Sequence, residues 1–312
     1  MSTATHRSDA SSRYRSAESK LWNYYKAEPK ESQIDIASAD TSIRVQEIGK
    51  GDPLLFIHGG PNSGSTFAPL ASKMENRRCI VIDRPGTGLS GPVNYETPRL
   101  IPELAVSVLT DLLDKLRLET VDVVGSSFGG AWALWLAEHH PRRVGRIALL
   151  GTTPFIPGMK VPTFVKLMNV PIVGSLMDIT PPSITGTKWI HRQLGHSRTS
   201  INRLPRIYWE WAVRLMADTP TQTNDAEAMR MTISPTGSHP DVAFSSEQLK
   251  TISSEILLYW GDADPFGGTD VAENLNDRIP KSELTIKPGF GHLPWLDDPD
   301  ECASTIQRFV SP

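Results

Sequence analysis

The sequence is poor in cysteine, in basic charge and in long apolar runs. Its 312 residues include two cysteines, which are too few for a disulfide framework. The formal net charge of -3 argues against a nucleic-acid partner, since such proteins carry a basic surplus. No run of about 18 apolar residues occurs, and residues 1–20 lack the apolar core of a signal peptide. We therefore expect no membrane span and a cytoplasmic protein.

The first 30 residues form an N-terminal extension. Residues 1–20 are rich in Ser, Arg and Ala, a bias that predicts a disordered or partly helical start. A group of apolar and aromatic side chains follows, namely Leu21, Trp22, Tyr24 and Tyr25. We hypothesise that this group packs an N-terminal helix either on the rest of the chain or on a partner subunit. The oligomeric state stays open between monomer and homodimer.

Strand-like and helix-like segments alternate from about residue 33 onwards. The predicted strands are residues 33–37, 43–48, 53–58, 79–83, 121–125, 147–151, 255–260 and 283–286. The predicted helices are residues 100–116, capped by Thr97 with Pro98 at the first position, residues 128–140, and a last helix from Pro299. Most strand segments are continuous apolar runs, which suit strands covered on both faces. The alternation predicts an α/β fold with a mostly parallel, doubly wound sheet.

One long stretch, residues 152–246, interrupts this alternation. It has no clear strand, several prolines and helical segments with large side chains, among them Trp189, Tyr208, Trp209, Trp211 and Met216. We predict a mainly helical cap inserted into a core made of residues 31–151 and 247–312. The large side chains either line an apolar substrate pocket or pack a core, and His191 and His196 are further candidates for the pocket.

The segment GSSFG at residues 125–129 matches the pattern G-x-S-x-G. It lies between a predicted strand and a predicted helix, which is the context that this pattern requires. Glycines permit the sharp turn that would expose the central Ser127, and the helix N-terminus behind it favours negative charge. Ser127 is therefore the candidate nucleophile. It needs a base beside it, because a serine hydroxyl is a weak nucleophile alone.

Candidate partners for Ser127 follow two strands near the end of the chain. Asp262 and Asp264 come after the predicted strand 255–260, and His292 comes after the last one. The order Ser, then Asp, then His is the order expected after a G-x-S-x-G turn. All of these positions lie at carboxyl ends of strands, where the sites of open α/β sheets form.

Four motifs together resemble the α/β-hydrolase superfamily, over nearly all of residues 33–310. They are HGGP at residues 58–61, DRPGTGLS at 83–90, GSSFG at 125–129 and GHLP at 291–294. The resemblance implies the fold predicted above and a catalytic triad. It implies Ser127 as nucleophile, His292 as base and Asp264 as the acid that orients His292. Asp262 is the rival acid, although the family places its acid three residues after the strand-end glycine.

The resemblance also implies an oxyanion hole made by two backbone N–H groups, those of Gly60 and Phe128. Each such donor typically contributes roughly 3 kcal/mol to transition-state stabilisation. We interpret His58, which precedes the oxyanion glycines, as a structural hydrogen-bonding residue. No His, Cys and Asp cluster has the spacing of a metal site, so neither a metal nor a cofactor is predicted.

A serine nucleophile excludes the dehalogenase and epoxide hydrolase branches of the superfamily. The leading prediction is hydrolysis of a carboxylic ester of a small or medium apolar substrate, through an acyl-enzyme. The alternatives are carbon–carbon bond hydrolysis of a diketone-like ring-cleavage product, a proline-type aminopeptidase and a non-catalytic receptor. Asn62 and Phe128 depart from the aminopeptidase pattern, and three filled triad positions argue against a receptor. The expected partner is a small-molecule substrate.

Overall fold

An eight-stranded sheet runs through the computed structural model, which describes residues 2–168 and 180–311. Its strands are β1 (Lys30–Ile36), β2 (Thr41–Ile48), β3 (Asp52–Ile57), β4 (Arg77–Ile82), β5 (Val121–Ser126), β6 (Val144–Leu150), β9 (Ile256–Gly261) and β10 (Ser282–Lys287). The spatial order is β1-β2-β4-β3-β5-β6-β9-β10. Strand β2 is antiparallel to both of its neighbours, and the strands from β4 to β10 are parallel. The predicted α/β sheet is confirmed, with strand ends shifted by one to three residues.

Helices cover both faces of the sheet. In chain order they are α1 (Ser2–Tyr24), α2 (Ala68–Ala71), α3 (Leu100–Lys115), α4 (Phe128–His139), α5 (Thr163–Met168), α6 (Ile184–Gln193), α7 (Arg198–Arg203), α8 (Arg206–Asp218), α9 (Thr221–Thr232), α10 (Ser246–Thr251), α11 (Thr269–Asn276), α12 (Pro294–Asp297) and α13 (Pro299–Val310). Alternate residues of the strands enter two apolar clusters, one on each face. In the described ranges, no helix is both long enough and apolar enough to cross a bilayer.

Helix α3 begins later than predicted. Thr97 and Pro98 form a turn before it, with the N–H groups of Leu100 and Ile101 bonded to the carbonyls of Thr97 and Pro98. The helix itself starts at Leu100, and Arg99 precedes it in helical conformation without a side-chain cap. The last helix does start at Pro299, where the Asp298 side chain accepts the N–H of Glu301 at 2.9 Å.

The N-terminal extension is helical, and the expectation of a disordered start at residues 1–20 was wrong. Helix α1 presents Tyr14, Glu18, Leu21 and Trp22 at helical spacing on one face, and all four are buried. Composition missed this burial because polar residues surround the few that pack. As one of the two hypotheses held, α1 packs on the rest of the chain, where it contacts α8.

Residues 152–246, for which we keep the name cap, are mainly helical where described, from α5 to α9. They also contain a two-stranded hairpin that was not predicted, made of β7 (Ile233–Ser234) and β8 (Gly237–Ser238). Two residues per strand are too few to give a periodic signal in the sequence. The segment 169–179 of the cap lies outside the described residues.

Candidate active site

Ser127 occupies a strained turn between β5 and α4. Its backbone has φ 49° and ψ -123°, a region that residues with a side chain rarely adopt. The turn fits only because glycines surround it. A Cβ on Gly59 would lie 2.6 Å from Cβ of Ser127, and one on Gly129 would lie 2.0 Å from the Ile57 carbonyl oxygen. The strain projects Ser127 to a partly exposed position, whereas Ser126 and Phe128 on either side are buried.

His292 is hydrogen-bonded to Asp264 and not to Asp262. Its Nδ1 lies 2.8 Å from Oδ2 of Asp264, and both side chains are buried. The carboxylate is itself held by two backbone donors, with Thr152 N–H on Oδ2 at 2.8 Å and Phe266 N–H on Oδ1 at 3.0 Å. An Nδ1–H that donates to Asp264 leaves Nε2 of the neutral ring as the basic nitrogen.

Asp262, the rival acid, has a different place. It is exposed, and its Oδ1 accepts the N–H of Gly289 at 2.7 Å. This bond braces the loop that leads from β10 towards His292. The preference for Asp264 as the acid stays a prediction about catalysis, and the hydrogen bonding is in line with it.

A small cavity of about 80 Å³ lies where these elements meet. Ser127, His292, Gly60 and Phe128 all contribute to its wall, so four of the predicted site residues share one surface. Other lining residues are Thr152, Pro154, Phe155, Met159, Leu194, Asp225, Ala228, Met229, Thr232, Ile233 and Phe266. The wall is mostly apolar, and its ionisable side chains are His292 and Asp225.

The large cap side chains singled out in the sequence do not line this cavity. Tyr208, Trp209 and Trp211 are buried on one face of the sheet, in the same cluster as Tyr14 and Trp22 of α1. The remaining two differ: Met216 packs against that cluster, and Trp189 is 49% exposed. The alternative of core packing is therefore correct for the buried aromatics, because α1 supplies the surface that they cover.

His58 is buried among backbone groups. Its Nδ1 lies 2.7 Å from the Gly59 carbonyl, and its Nε2 accepts the N–H of Arg84 at 3.0 Å. Burial lowers the pKa of His58 well below its ordinary value, and the charge of Arg84 lowers it further. The ring is therefore neutral, with its proton on Nδ1, and it joins the loop after β3 to the turn after β4. This geometry agrees with the structural role predicted for His58.

A buried ion pair beside the cavity was missed by sequence reasoning. Arg84, which is fully buried, donates through Nη2 to both oxygens of Asp225 in α9, at 3.1 and 2.9 Å. Burial raises the pKa of the Asp225 carboxyl, and the Arg84 guanidinium opposes that shift. Arg84 belongs to the recognised motif at residues 83–90. Its partner stands 141 residues later in a polar helix, where no local pattern marks it.

The loop that carries His292 is fastened to the cap. Leu293 N–H donates to Nε2 of His196 at 3.3 Å, and Nδ1 of His196 lies 2.9 Å from Oδ2 of Asp297. The N–H of His292 donates to the Leu194 carbonyl at 2.8 Å.

The two histidines of the cap were candidates for the pocket, and both lie outside it. His191 donates to or accepts from groups of its own surroundings, with Nδ1 2.9 Å from the Thr187 carbonyl and Nε2 3.4 Å from the Tyr208 hydroxyl. His196 is buried against the His292 loop, as described above. Neither contributes to the cavity wall. Within residues 2–168 and 180–311, no group of three or more His, Cys, Asp or Glu side chains is placed to hold a metal ion.

Known proteins resemble this chain over most of its length. A family model described as the alpha/beta hydrolase fold matches residues 52–299. A 2-hydroxymuconate semialdehyde hydrolase of Pseudomonas putida is 27% identical over 286 residues, 89% of this chain and 93% of that protein. A protein of the same name from Pseudomonas sp. (strain CF600) is 35% identical over 291 residues, with the same coverage of 89% and 93%.

Solved structures share the fold. The carboxylesterase CesB (YbfK) of Bacillus subtilis superposes with a TM-score of 0.74, over 97% of this chain and 98% of that one. Its sequence is 18% identical, so the superposition speaks for the fold alone.

Proposed function

Because the chain belongs to the alpha/beta hydrolase fold family, we propose that it is a serine hydrolase with a triad of Ser127, His292 and Asp264. The observation that carries the proposal is the 2.8 Å hydrogen bond between His292 and Asp264, beside a cavity that Ser127 and His292 both line. A histidine oriented in this way accepts the serine proton as the hydroxyl attacks a carbonyl carbon.

In the proposed reaction, Ser127 Oγ adds to the carbonyl carbon and His292 takes its proton. The carbonyl oxygen becomes an oxyanion, which the N–H groups of Gly60 and Phe128 stabilise. The tetrahedral adduct collapses to an acyl-enzyme, and His292 returns its proton to the leaving group. Water, deprotonated by His292, then releases the acid and restores Ser127.

For the bond that is cleaved, we favour a carbon–carbon bond next to a ketone in a ring-cleavage product. The support comes from the two relatives named 2-hydroxymuconate semialdehyde hydrolase, one of them 35% identical over 89% of this chain. A carbon leaving group must depart as an enolate, so the substrate needs a second carbonyl conjugated with the broken bond. His292 would protonate that enolate, as it would protonate an alkoxide from an ester.

Ester hydrolysis, the leading prediction from the sequence, is the second candidate because of the lining of the cavity. A muconate is by name a carboxylate, and the ionisable side chains of the described wall are His292 and the acidic Asp225. An anionic substrate would approach Asp225 without a lysine or arginine in that wall to balance it. An uncharged ester avoids this repulsion.

The size of the cavity limits the acyl group under either reading. About 80 Å³ has room for about five to eight water-sized units, so the group on the acyl side is small. With esters, we expect p-nitrophenyl acetate or butyrate to be hydrolysed faster than the octanoate.

The test compares a ring-cleavage-type dienol ketone with p-nitrophenyl esters at matched concentrations. Ser127→Ala should abolish turnover of both. Ser126→Ala is the matched control, because the neighbouring side chain is buried and points away from the cavity wall. A higher kcat/KM for the ketone supports carbon–carbon hydrolysis, and a higher value for esters supports the second candidate. A folded wild type that turns over neither, or a Ser127→Ala variant that stays active, overturns the proposal.

A further inference from the structure

The buried pair of Arg84 and Asp225 joins the core to the cap at the edge of the oxyanion site. Arg84 follows β4 in the core, and Asp225 lies in α9 of the cap with 4% exposure. Removing two charges from water is unfavourable unless further hydrogen bonds satisfy them. Those further hydrogen bonds identify what the pair does.

Arg84 contacts the peptide group that contains one of the two proposed oxyanion donors. Its Nε donates to the His58 carbonyl at 3.0 Å, and its Nη2 donates to the Gly59 carbonyl at 3.2 Å. The Gly59 carbonyl and the Gly60 N–H belong to one planar trans peptide, so the two groups point in opposite directions. A guanidinium that fixes the carbonyl therefore fixes the direction of the Gly60 N–H.

The same guanidinium also contacts the second donor residue. Its Cζ lies 4.8 Å from the centroid of the Phe128 ring, within the range of a cation–π interaction. Phe128 supplies the other proposed oxyanion N–H. Arg84 thus touches both halves of the hole, one through a carbonyl and one through a ring.

Asp225 completes the arrangement from the cap side. Besides binding Nη2, its Oδ2 lies only 2.9 Å from the position that a Cβ on Gly60 would take. The carboxylate therefore lies against the oxyanion loop itself. A charged donor on the Gly59 carbonyl also polarises that peptide, which strengthens its N–H as a hydrogen-bond donor.

We infer that Arg84 is a positioning residue for both oxyanion donors and that Asp225 of the cap keeps Arg84 in place. The inference rests on the proposed function, since it presupposes an oxyanion formed by attack of Ser127. It makes the oxyanion hole dependent on the cap: with α9 displaced, Arg84 loses its counter-ion and the Gly59–Gly60 peptide loses its anchor.

The experiment measures kcat, KM and inhibition by a trifluoromethyl ketone for Asp225→Asn and Arg84→Met. The inhibitor forms an adduct with serine whose oxygen anion occupies the oxyanion hole. A small misplacement of catalytic groups lowers rates by up to about 100-fold, so we expect kcat to fall roughly 10- to 100-fold. The inhibition constant should rise in parallel, and KM should change little.

Two further variants separate positioning from folding. The double variant Arg84→Met/Asp225→Leu removes both charges, which avoids a buried unpaired ion, and should melt near the wild-type temperature while keeping the loss in kcat. Asp122→Asn is the matched control. Asp122 pairs with the buried Arg77 at the opposite edge of the sheet, at 3.3 Å, and its replacement should leave kcat and the inhibition constant unchanged.

Folded variants at Arg84 and Asp225 with wild-type kcat and wild-type inhibition would overturn the inference. So would a loss confined to KM, with the inhibitor bound as tightly as before. A wild type that neither binds the trifluoromethyl ketone nor is labelled by a fluorophosphonate at Ser127 overturns the proposed function and the inference with it. A wild type that does both, with variants that do the same, overturns the inference alone.

Discussion

The cap contacts the two sides of the cavity through different kinds of interaction. On the triad side, residues 194–196 of the cap bind the His292 loop by hydrogen bonds to backbone groups. On the oxyanion side, α9 reaches the core through the charged pair of Arg84 and Asp225. Backbone bonds depend on close approach, whereas a buried ion pair depends on both charges being present. The two sides should therefore respond to different substitutions.

Close approach on the triad side is visible at its glycines. A Cβ on Gly195 would lie 2.0 Å from the Ala263 carbonyl oxygen, and one on Gly291 would lie 2.7 Å from the Leu194 carbonyl oxygen. Gly195 also has φ +88°, which glycine adopts without strain. The cap segment is thus pressed between the loop of Asp264 and the loop of His292.

The largest effect should come from the acid of the triad. Asp264→Asn should lower kcat by about 10³- to 10⁴-fold, because the amide no longer holds the Nδ1–H tautomer of His292. Asp262→Asn is the control: its amide oxygen can still accept the Gly289 N–H, and kcat should fall by less than about 10-fold. Steady-state kinetics decide the point, and an equal loss in both variants would contradict the assignment of Asp264.

The triad side should also make stability depend on pH through His191. Burial, and then the nearby His196, lower the pKa of His191 to about 4 from 6.5. As pH falls from about 6.5 to 4, the unfolded chain binds a proton here that the folded chain refuses, so folding free energy is lost by up to about 3 kcal/mol. Urea unfolding at several pH values should show a shallower pH dependence for His191→Asn. An unchanged slope would argue against this source, and the exposed His140→Asn serves as control.

Smaller losses should follow from loosening the His292 loop. His196→Ala removes the acceptor of the Leu293 N–H and the partner of Asp297, and we expect kcat to fall about 10-fold. If the two sides act independently, combining it with Asp225→Asn should multiply the two losses. A double variant no worse than the poorer single variant would mean that the sides form one unit, and the comparison above would fail.

The smallest effect should come from Gly60 itself. An added methyl group would lie 2.9 Å from Oδ2 of Asp225, so the carboxylate must shift by a few tenths of an ångström. Such overpacking typically carries a penalty of about 1 kcal/mol, and Gly60→Ala should lower kcat about 5-fold. Gly186→Ala in α6, far from the cavity wall, should leave kcat unchanged. Wild-type kcat in Gly60→Ala would show that Asp225 does not press on the oxyanion loop.

Local patterns were sufficient for much of the fold and for the candidate site. The continuous apolar runs predicted the strands because a strand covered on both faces needs apolar side chains at every position. The G-x-S-x-G turn identified Ser127 because only small neighbours permit its backbone conformation, which the structure has at φ 49°. The same patterns were insufficient for helix α1, whose buried face is four residues among many polar ones.

The sequence by itself determined the parallel sheet, the strained serine turn and the positions of Asp264 and His292 at strand ends, since each depends on residues adjacent in the chain. Only the tertiary structure decided which side chains line the cavity, that the cap aromatics pack under α1, and that Asp225 meets Arg84 across 141 residues. The physical reason is the range of the interactions. Backbone conformation and strand burial are written in neighbouring residues, whereas a buried ion pair depends on how two distant elements pack.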